Sequence, residues 1–416
     1  MSLSSAMYAG VSGLMAYGDA MNVTGDNIAN VNTIGYKGNR TIFADILANS
    51  VANGSTTLQF GRGSHILGVT ASFTQGSFET TGNATDMAIQ GSGFFVVKDP
   101  SSGGLYYTRA GQFTLNEAGE LVNPNGFNVQ GYQLTTNASG AVTKAASSTN
   151  IDVTGVQSVP KATTTFTLGL NLNATASAGT TFSSSFNAYN ALGETTTVTY
   201  TFTKTTTAQT WDFVASGPAG TTLSGTGLSG SVTFDSAGIM TGPATDLDLT
   251  ISGFPSGSAP LTITWDLLNN TTGLLNTDIT GYAAGSVMNS MVQDGYPTGV
   301  LRGLSVSDDG IISGLFSNGQ TQQMWQVQLA DFLSPWGLSR QGNSMFAETS
   351  QSGQPILGTA KSGGFGTIYG SSLELSSVDL STQFVDMIQN QRAYQANSRI
   401  ITTVDTMMQE VVNLVR

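Results

Sequence analysis

The sequence predicts a mixed, mainly β fold with α-helical termini. The two end helices form a coiled-coil-like domain, followed by two all-β domains, the second inserted in the first. Three observations predict it. Large apolar residues step by three and four at both ends, the long middle alternates with period two, and charge is scarce throughout. The 416 residues suffice for two to four compact domains. Asp, Glu, Lys and Arg make up only 10%, and Thr outnumbers even the 51 Gly, far from the ~25% charge of ordinary globular chains. That is not the composition of a cytosolic enzyme.

At the start, Leu3, Met7, Leu14, Tyr17, Met21 and Ile28 fall in steps of four and three or their sums, with Gly10 and Thr24 filling the remaining positions. This is a heptad pattern, and the helix is expected to stop by Asn30, because Asn32, Thr33 and Gly35 bring turn chemistry. Residues 39–76 are Gly-rich and polar with a few apolar anchors, as are residues 360–376. Both fit connectors. Phe94 to Val97 is a short buried run, and Leu121, Val122, Val129, Tyr132 and Leu134 surround the Pro124-Asn125-Gly126 turn signal. From Gly155 to Met291 the chain is richer in Thr and alternates from Thr195 to Thr203, as a half-buried strand does. A second β domain is expected there. Short strands return at Leu301 to Val306, Ile311 to Phe316 and Met324 to Leu329, with a hairpin turn at Asp308-Asp309-Gly310. The expected division is 1–30 plus 377–416 helical, 31–76 plus 360–376 connector, 77–154 plus 292–359 the first β domain, and 155–291 the insertion.

At the far end, Ser377 or Asp379 can cap a helix that runs to about Arg416. One stripe is Leu380, Met387, Tyr394, Ile401, Met408 and Val415; a second is Ile400, Val404, Met407, Val411 and Leu414, and Phe384 adds to the apolar surface. At ~100° per residue the two stripes span roughly 160°. One partner helix cannot cover that arc. Burying a large apolar side chain is worth ~1.5 to 3 kcal/mol, while ordering backbone costs ~1 to 2 kcal/mol per residue. The ends are therefore expected to be mobile alone and helical when neighbouring copies cover them.

The chemistry of catalysis is sparse. Cys is absent and the single histidine is His65, so no nucleophile, base and orienting partner can be assembled. Glu79 and Asp86 give no metal-ligand spacing. Gly225, Gly227 and Gly230 form a G-x-G-x-x-G with no helix pattern after it, and Asp246 with Asp248, or Asp308 with Asp309, start no twelve-residue calcium loop. No catalytic, cofactor or metal site is expected. A net charge of -12 disfavours nucleic acid. No run approaches the ~18 apolar residues of a membrane span, and the start lacks the basic and apolar regions of a cleavable signal. Sequons at Asn173, Asn269 and Asn270 are unremarkable in so Asn- and Thr-rich a chain.

The segment from Asn27 to Lys37, with Ala29, Asn30, Asn32, Thr33, Gly35 and Tyr36 inside it, resembles the signature that follows the first helix of bacterial flagellar rod and hook subunits. Three further blocks agree: Asp86 to Val97, Tyr107 to Val122, and Ser377 to Leu414 with its Gln391-Arg392-Ala393-Tyr394-Gln395. Residues 155–291 carry no matching motif, but an insertion of that size, followed by Asp294-Gly295-Tyr296 and Gly342-Asn343-Ser344, is similar to the hook members of the family. The resemblance implies a homopolymer: a curved extracellular tube whose inner wall is made by the terminal helices, with the inserted domain outermost. It also implies export through the flagellar apparatus without signal cleavage. The partners it brings are a distal rod protein, a hook cap protein and hook-filament junction proteins. A distal rod subunit, or a secreted β-rich adhesin that binds glycans through the Thr-rich middle, are the competing readings.

Overall fold

A computed structural model of the chain describes residues 3–53, 56–136, 141–268 and 275–414. The chain divides into two compact units, one made of Met1–Gly155, Gly303–Gly314 and Thr321–Arg416, the other of Val156–Arg302 and Leu315–Gln320.

The first unit holds both long helices, α1 (Leu3–Ala29) and α2 (Leu380–Leu414). The chain leaves α1 at Asn30, whose backbone N–H still bonds back to Asp26. α2 starts at a side-chain cap: Asp379 Oδ1 accepts the Thr382 N–H at 2.8 Å, so Asp379 and not Ser377 fills that role. The β part is built around Phe94–Lys98, which pairs antiparallel with Leu105–Thr108, Asn128–Thr136 and Leu329–Asp331. Phe94, Val96, Tyr107, Phe332 and Phe346 close a core over it. Asp308, Asp309 and Gly310 form the expected turn, where Gly310 has φ +71°, and Lys361 sits 3.1 Å from Asp309.

The two connector stretches are more ordered than their composition suggested. Asn39–Asp45 and Ser64–Ala71 pair as a long antiparallel ribbon, while Thr367–Gly370 and Ser372–Glu374 pair with Met87–Gln90 and Phe78–Thr80. Their backbone hydrogen bonds are met by partners distant in sequence, which local periodicity cannot reveal.

The second unit is a sandwich of two sheets. In one, Thr181–Tyr189, Thr195–Lys204, Thr210–Ser216, Ser229–Phe234 and Met240–Gly242 follow one another antiparallel. The other is mixed: Thr165–Asn171 runs parallel to Leu261–Trp265 and antiparallel to Val287–Gln293. The inward side chains meet in one aromatic core, with Phe166 stacked on Phe186 at 4.5 Å and Tyr200 at 5.0 Å from Trp265. Alternate residues Thr197, Thr199 and Thr201 face outward, and cross-strand hydroxyl pairs such as Ser185–Thr199 at 2.9 Å satisfy one another. The unit continues past Met291 to Arg302, because the last long strand of the mixed sheet ends only at Gln293.

Asp294 ties that strand's end to the unit. Burial alone would raise its carboxyl, but it accepts the Thr164 N–H at 2.7 Å, the Thr165 N–H at 3.0 Å and the Thr164 hydroxyl at 2.6 Å, and Lys161 lies 3.0 Å away. The result is a pKa of about 2. A carboxyl that titrates below its unfolded value stabilises the fold above pH ~4 and loses that contribution as the pH falls toward about 2. Asp294→Asn is expected to lower the neutral-pH stability of this unit and to flatten its acid unfolding curve between pH ~4 and ~2. Near-UV circular dichroism of the aromatic core reads this, and equal acid slopes for parent and variant would refute it.

Candidate functional site

The two helices pack through their small and polar residues, not their large ones. On α1 the buried positions are Gly10, Gly13, Ala16, Ala20, Thr24 and Asn27, again in steps of three and four. Opposite them on α2 lie Ile401, Asn397, Asn390 and Gln383. A methyl group on Gly10 would come within 3.2 Å of Ile401, and one on Gly13 within 2.7 Å of the Asn397 amide. The Asn27 amide donates to Gln383 Oε1 at 2.9 Å, and the Asn390 amide to the Thr24 hydroxyl at 3.4 Å. Small residues allow the backbones to approach closely, and the amides satisfy one another in the resulting gap.

The expected stripes therefore flank the packed face instead of forming it. On α1, Leu14, Tyr17, Met21 and Ile28 are half-buried and Met7 is exposed; Tyr17 lies 5.3 Å from Phe43 of the connector ribbon. Leu3 opens the helix. The most exposed large residues of α1, Tyr8 and Met15 at 68% each, lie outside the stripe that periodicity selected. On α2, Leu380, Phe384, Tyr394, Ile400, Met407, Met408 and Val411 are exposed, and Met387 and Ile401 are half-buried. At ~100° per residue, Leu380, Met387 and Tyr394 fall on one side of the α1-facing strip and Ile400, Met407 and Val411 on the other. Val404 departs from the expectation: it is 7% exposed, already buried within the chain. Leu414 ends the helix, and Val415 lies outside the described residues, as do Asn269 and Asn270.

The signature segment between Asn27 and Lys37 is a structural joint. Asn27 receives the Asn39 N–H at 2.8 Å and donates to the Asn39 carbonyl at 2.7 Å. Asn30 donates to Asp26, Thr33 donates to Asn30, and the Tyr36 hydroxyl donates to Asp26 at 2.9 Å. Ala29 and Asn32 face solvent. Gly35 has φ +66°, and a methyl group there would meet the Ala110 backbone nitrogen at 2.5 Å, so both conformation and space demand glycine. Lys37, 1% exposed, reaches a fully buried Glu374 at 2.6 Å. Arg109 lies 3.5 Å from the other carboxylate oxygen and donates to the Gly91 carbonyl at 2.7 Å. Arg340 stacks over Tyr36 at 5.3 Å and donates to the Lys37 carbonyl. Burial pulls the Lys37 and Arg109 cations below their usual ranges, and Glu374 opposes that pull. Two cations thus share one buried carboxylate. Sequence reasoning found Lys37 but missed Glu374, Arg109 and Arg340, since nothing in their neighbourhoods marks them as partners.

The remaining candidates serve the fold. His65 is exposed on the ribbon opposite Ala44. Gly225 packs against the Asp248 carbonyl. Asp246 accepts the Leu267 and Leu268 N–H groups, and Asp248 the Thr264 hydroxyl. A groove of about 690 Å³ between the two helices and the ribbon is lined by Asn27, Arg40, Gln383, Asp386 and Asn390 among others. Among the described residues no group of three or more His, Asp or Glu is placed to hold a metal, and no helix is long and apolar enough to cross a membrane.

Comparison with known proteins bears on the whole length. Residues 7–37 match the flagella basal body rod protein family and residues 88–161 the flagellar hook protein FlgE/F/G D1 domain. Residues 161–296 match the flagellar basal body protein FlaE D2 domain, and residues 370–414 the flagellar basal body rod FlgEFG protein C-terminal family. The flagellar hook protein FlgE of Borreliella burgdorferi is 32% identical, covering 98% of this chain and 99% of that one. That of Escherichia coli is 34% identical over 97% and 98%, and that of Treponema pallidum 31% over 99% of each.

Proposed function

The chain belongs to the bacterial flagellar hook protein family, and from that premise we propose that its terminal helices are the surfaces on which copies assemble. It is a structural subunit of the flagellar hook, the curved tube that acts as a flexible universal joint and passes motor torque from rod to filament. The observation that carries the assembly reading is α2 itself: large apolar side chains stand exposed on both sides of the strip that α1 covers. In a polymer, second copies cover both sides.

The same reading takes the chain as four parts, with 1–30 plus 377–416 assembling, the joint at Lys37 and Glu374 passing load to the β parts, and residues 155–291 outermost. That outer part suits a joint that bends, because its hydroxyl-rich, internally paired sheet face offers wet contacts without a fixed register. The chain is exported uncleaved through the flagellar apparatus to the outside of the cell, beneath a cap protein, and joins the distal rod protein below and junction proteins above. It performs no catalysis.

Electron microscopy of the polymer tests this reading: short curved tubes are expected. Straight tubes would favour the rod, and the absence of any tube would end the assembly reading. Deleting residues 161–296, whose ends meet at the Lys161–Tyr296 bridge, should leave tubes that no longer bend; tubes of unchanged curvature and flexibility would remove the role given to that part.

A further inference from the structure

All the sulfur in this chain is methionine: Cys is absent and Met supplies 13 residues. Their surroundings divide them. Met87, Met240, Met324 and Met345 are sealed in the β parts, while Met7, Met15, Met21, Met387, Met407 and Met408 stand on α1 and α2. Met407 and Met408 are neighbours in sequence, so at ~100° per residue they fall on opposite sides of the α1-facing strip. They are 52% and 46% exposed, which puts one open thioether on each apolar flank of α2. Met288 of the second unit is the contrast, since its sulfur accepts the Ser184 hydroxyl at 2.8 Å.

A thioether is apolar, unbranched and adaptable, which suits a contact surface; it is also the apolar side chain whose polarity a single added oxygen reverses. We propose that Met407 and Met408 are an oxidation site of the unassembled chain, and that hydrogen peroxide acting there closes the α2 flanks to a second copy. With no thiol in the chain, peroxide has no faster sulfur to attack. The thioether sulfur gives an electron pair to one peroxide oxygen: the O–O bond breaks, an S–O bond forms, and the departing hydroxide takes the transferred hydroxyl's proton and leaves as water. Sulfur is oxidised and peroxide reduced. The sulfoxide oxygen then brings a strong acceptor beside exposed Ile400, Val411 and Val412, none of which donates a hydrogen bond from its side chain. Docked copies shield both sulfurs, so the site is open only before assembly. The inference rests on the reading of the terminal helices as assembly surfaces.

Peroxide treatment of the purified full-length chain tests this, once as monomer and once as tubes, with peptide mass spectrometry locating the added oxygen. In the monomer Met407 and Met408 are expected to oxidise at least about tenfold faster than buried Met87 and Met324, and in tubes to fall to the rate of those two. The oxidised monomer, still folded by circular dichroism, should need at least about tenfold more protein to form tubes. Methionine sulfoxide reductases acting on both epimers should return the parent value. The chain with Met407→Leu and Met408→Leu should assemble after peroxide as the untreated parent does, although Met7 and Met15 still oxidise. The inference is overturned by sulfurs that stay reduced in the monomer, by an oxidised monomer that has unfolded, or by doubly oxidised chain that forms tubes at the parent's concentration. Failure of the reductases to restore assembly, or a leucine chain blocked as strongly as the parent, overturns it as well. All of these leave the hook reading standing. Untreated chain that forms no tubes ends both.

Discussion

Replacing Glu374 by Gln will destabilise the first unit by ~3 to 5 kcal/mol, the cost of stranding a buried charge without its partner. The reason is the count at the joint. Lys37 and Arg109 both lean on this one carboxylate, at 2.6 and 3.5 Å, and the Gly76 N–H donates to it as well at 2.9 Å. A neutral amide would leave two cations facing each other in a site closed to water. Lys37→Met should cost less, nearer the ~1.5 to 3 kcal/mol of a lost hydrogen bond to a charged group, because Arg109 and Glu374 then balance one to one. Urea unfolding of the two variants decides it: an equal or reversed order would mean that surplus positive charge is not what strains the joint.

That joint also explains where the signature segment gets its form. Asn27 bridges α1, the ribbon and α2 through Asn39 and Gln383. Tyr36 and Arg340 stack across it, and Gly35 threads a left-handed turn against Ala110. These contacts tie the helices to the β part, so the segment's residue types answer to geometry and not to chemistry on a ligand.

Much of the fold was legible because it is local. Period-three-and-four stripes gave α1 and α2, and period-two alternation gave the strand Thr195–Lys204 and its neighbours. The turn at Asp308-Asp309-Gly310 and the strand Phe94–Lys98 were equally readable. What stayed hidden depends on pairings far apart in the chain. Residues 360–376 read as a polar connector because their strand partners lie near residues 78–90. The α1 stripe of the sequence follows side-chain size, while the packed face runs through Gly13, Ala16 and Ala20, which keep helical register but carry too little apolar bulk to stand out. A helix that packs through small residues pushes its large ones to the flanks, which is why, among the described side chains of the second α2 stripe, only Val404 is buried within the chain.

Placing a carboxylate on either apolar flank of α2 will abolish tube formation and leave the monomer intact. Met407 and Val412 stand on opposite flanks and are more than half exposed within the chain, so Met407→Asp or Val412→Asp takes away little that a single copy buries, and the melting temperature should hardly move. In the polymer each would forfeit ~1.5 to 3 kcal/mol of apolar burial and bring an unpaired charge into a water-poor contact. Together these exceed ~2.8 kcal/mol, and at ~1.4 kcal/mol per factor of ten the concentration needed for tubes should rise at least about a hundredfold. Thr406→Asp makes the opposite case. Thr406 is exposed on the side of α2 that also carries Arg392 and Arg399, opposite the α1-facing strip and away from both apolar flanks, and should assemble close to the parent. Sedimentation of polymer across a concentration series separates the outcomes. If the Thr406 variant is blocked while the Met407 and Val412 variants assemble, second copies dock on the polar side of the helix, and the apolar flanks need another explanation.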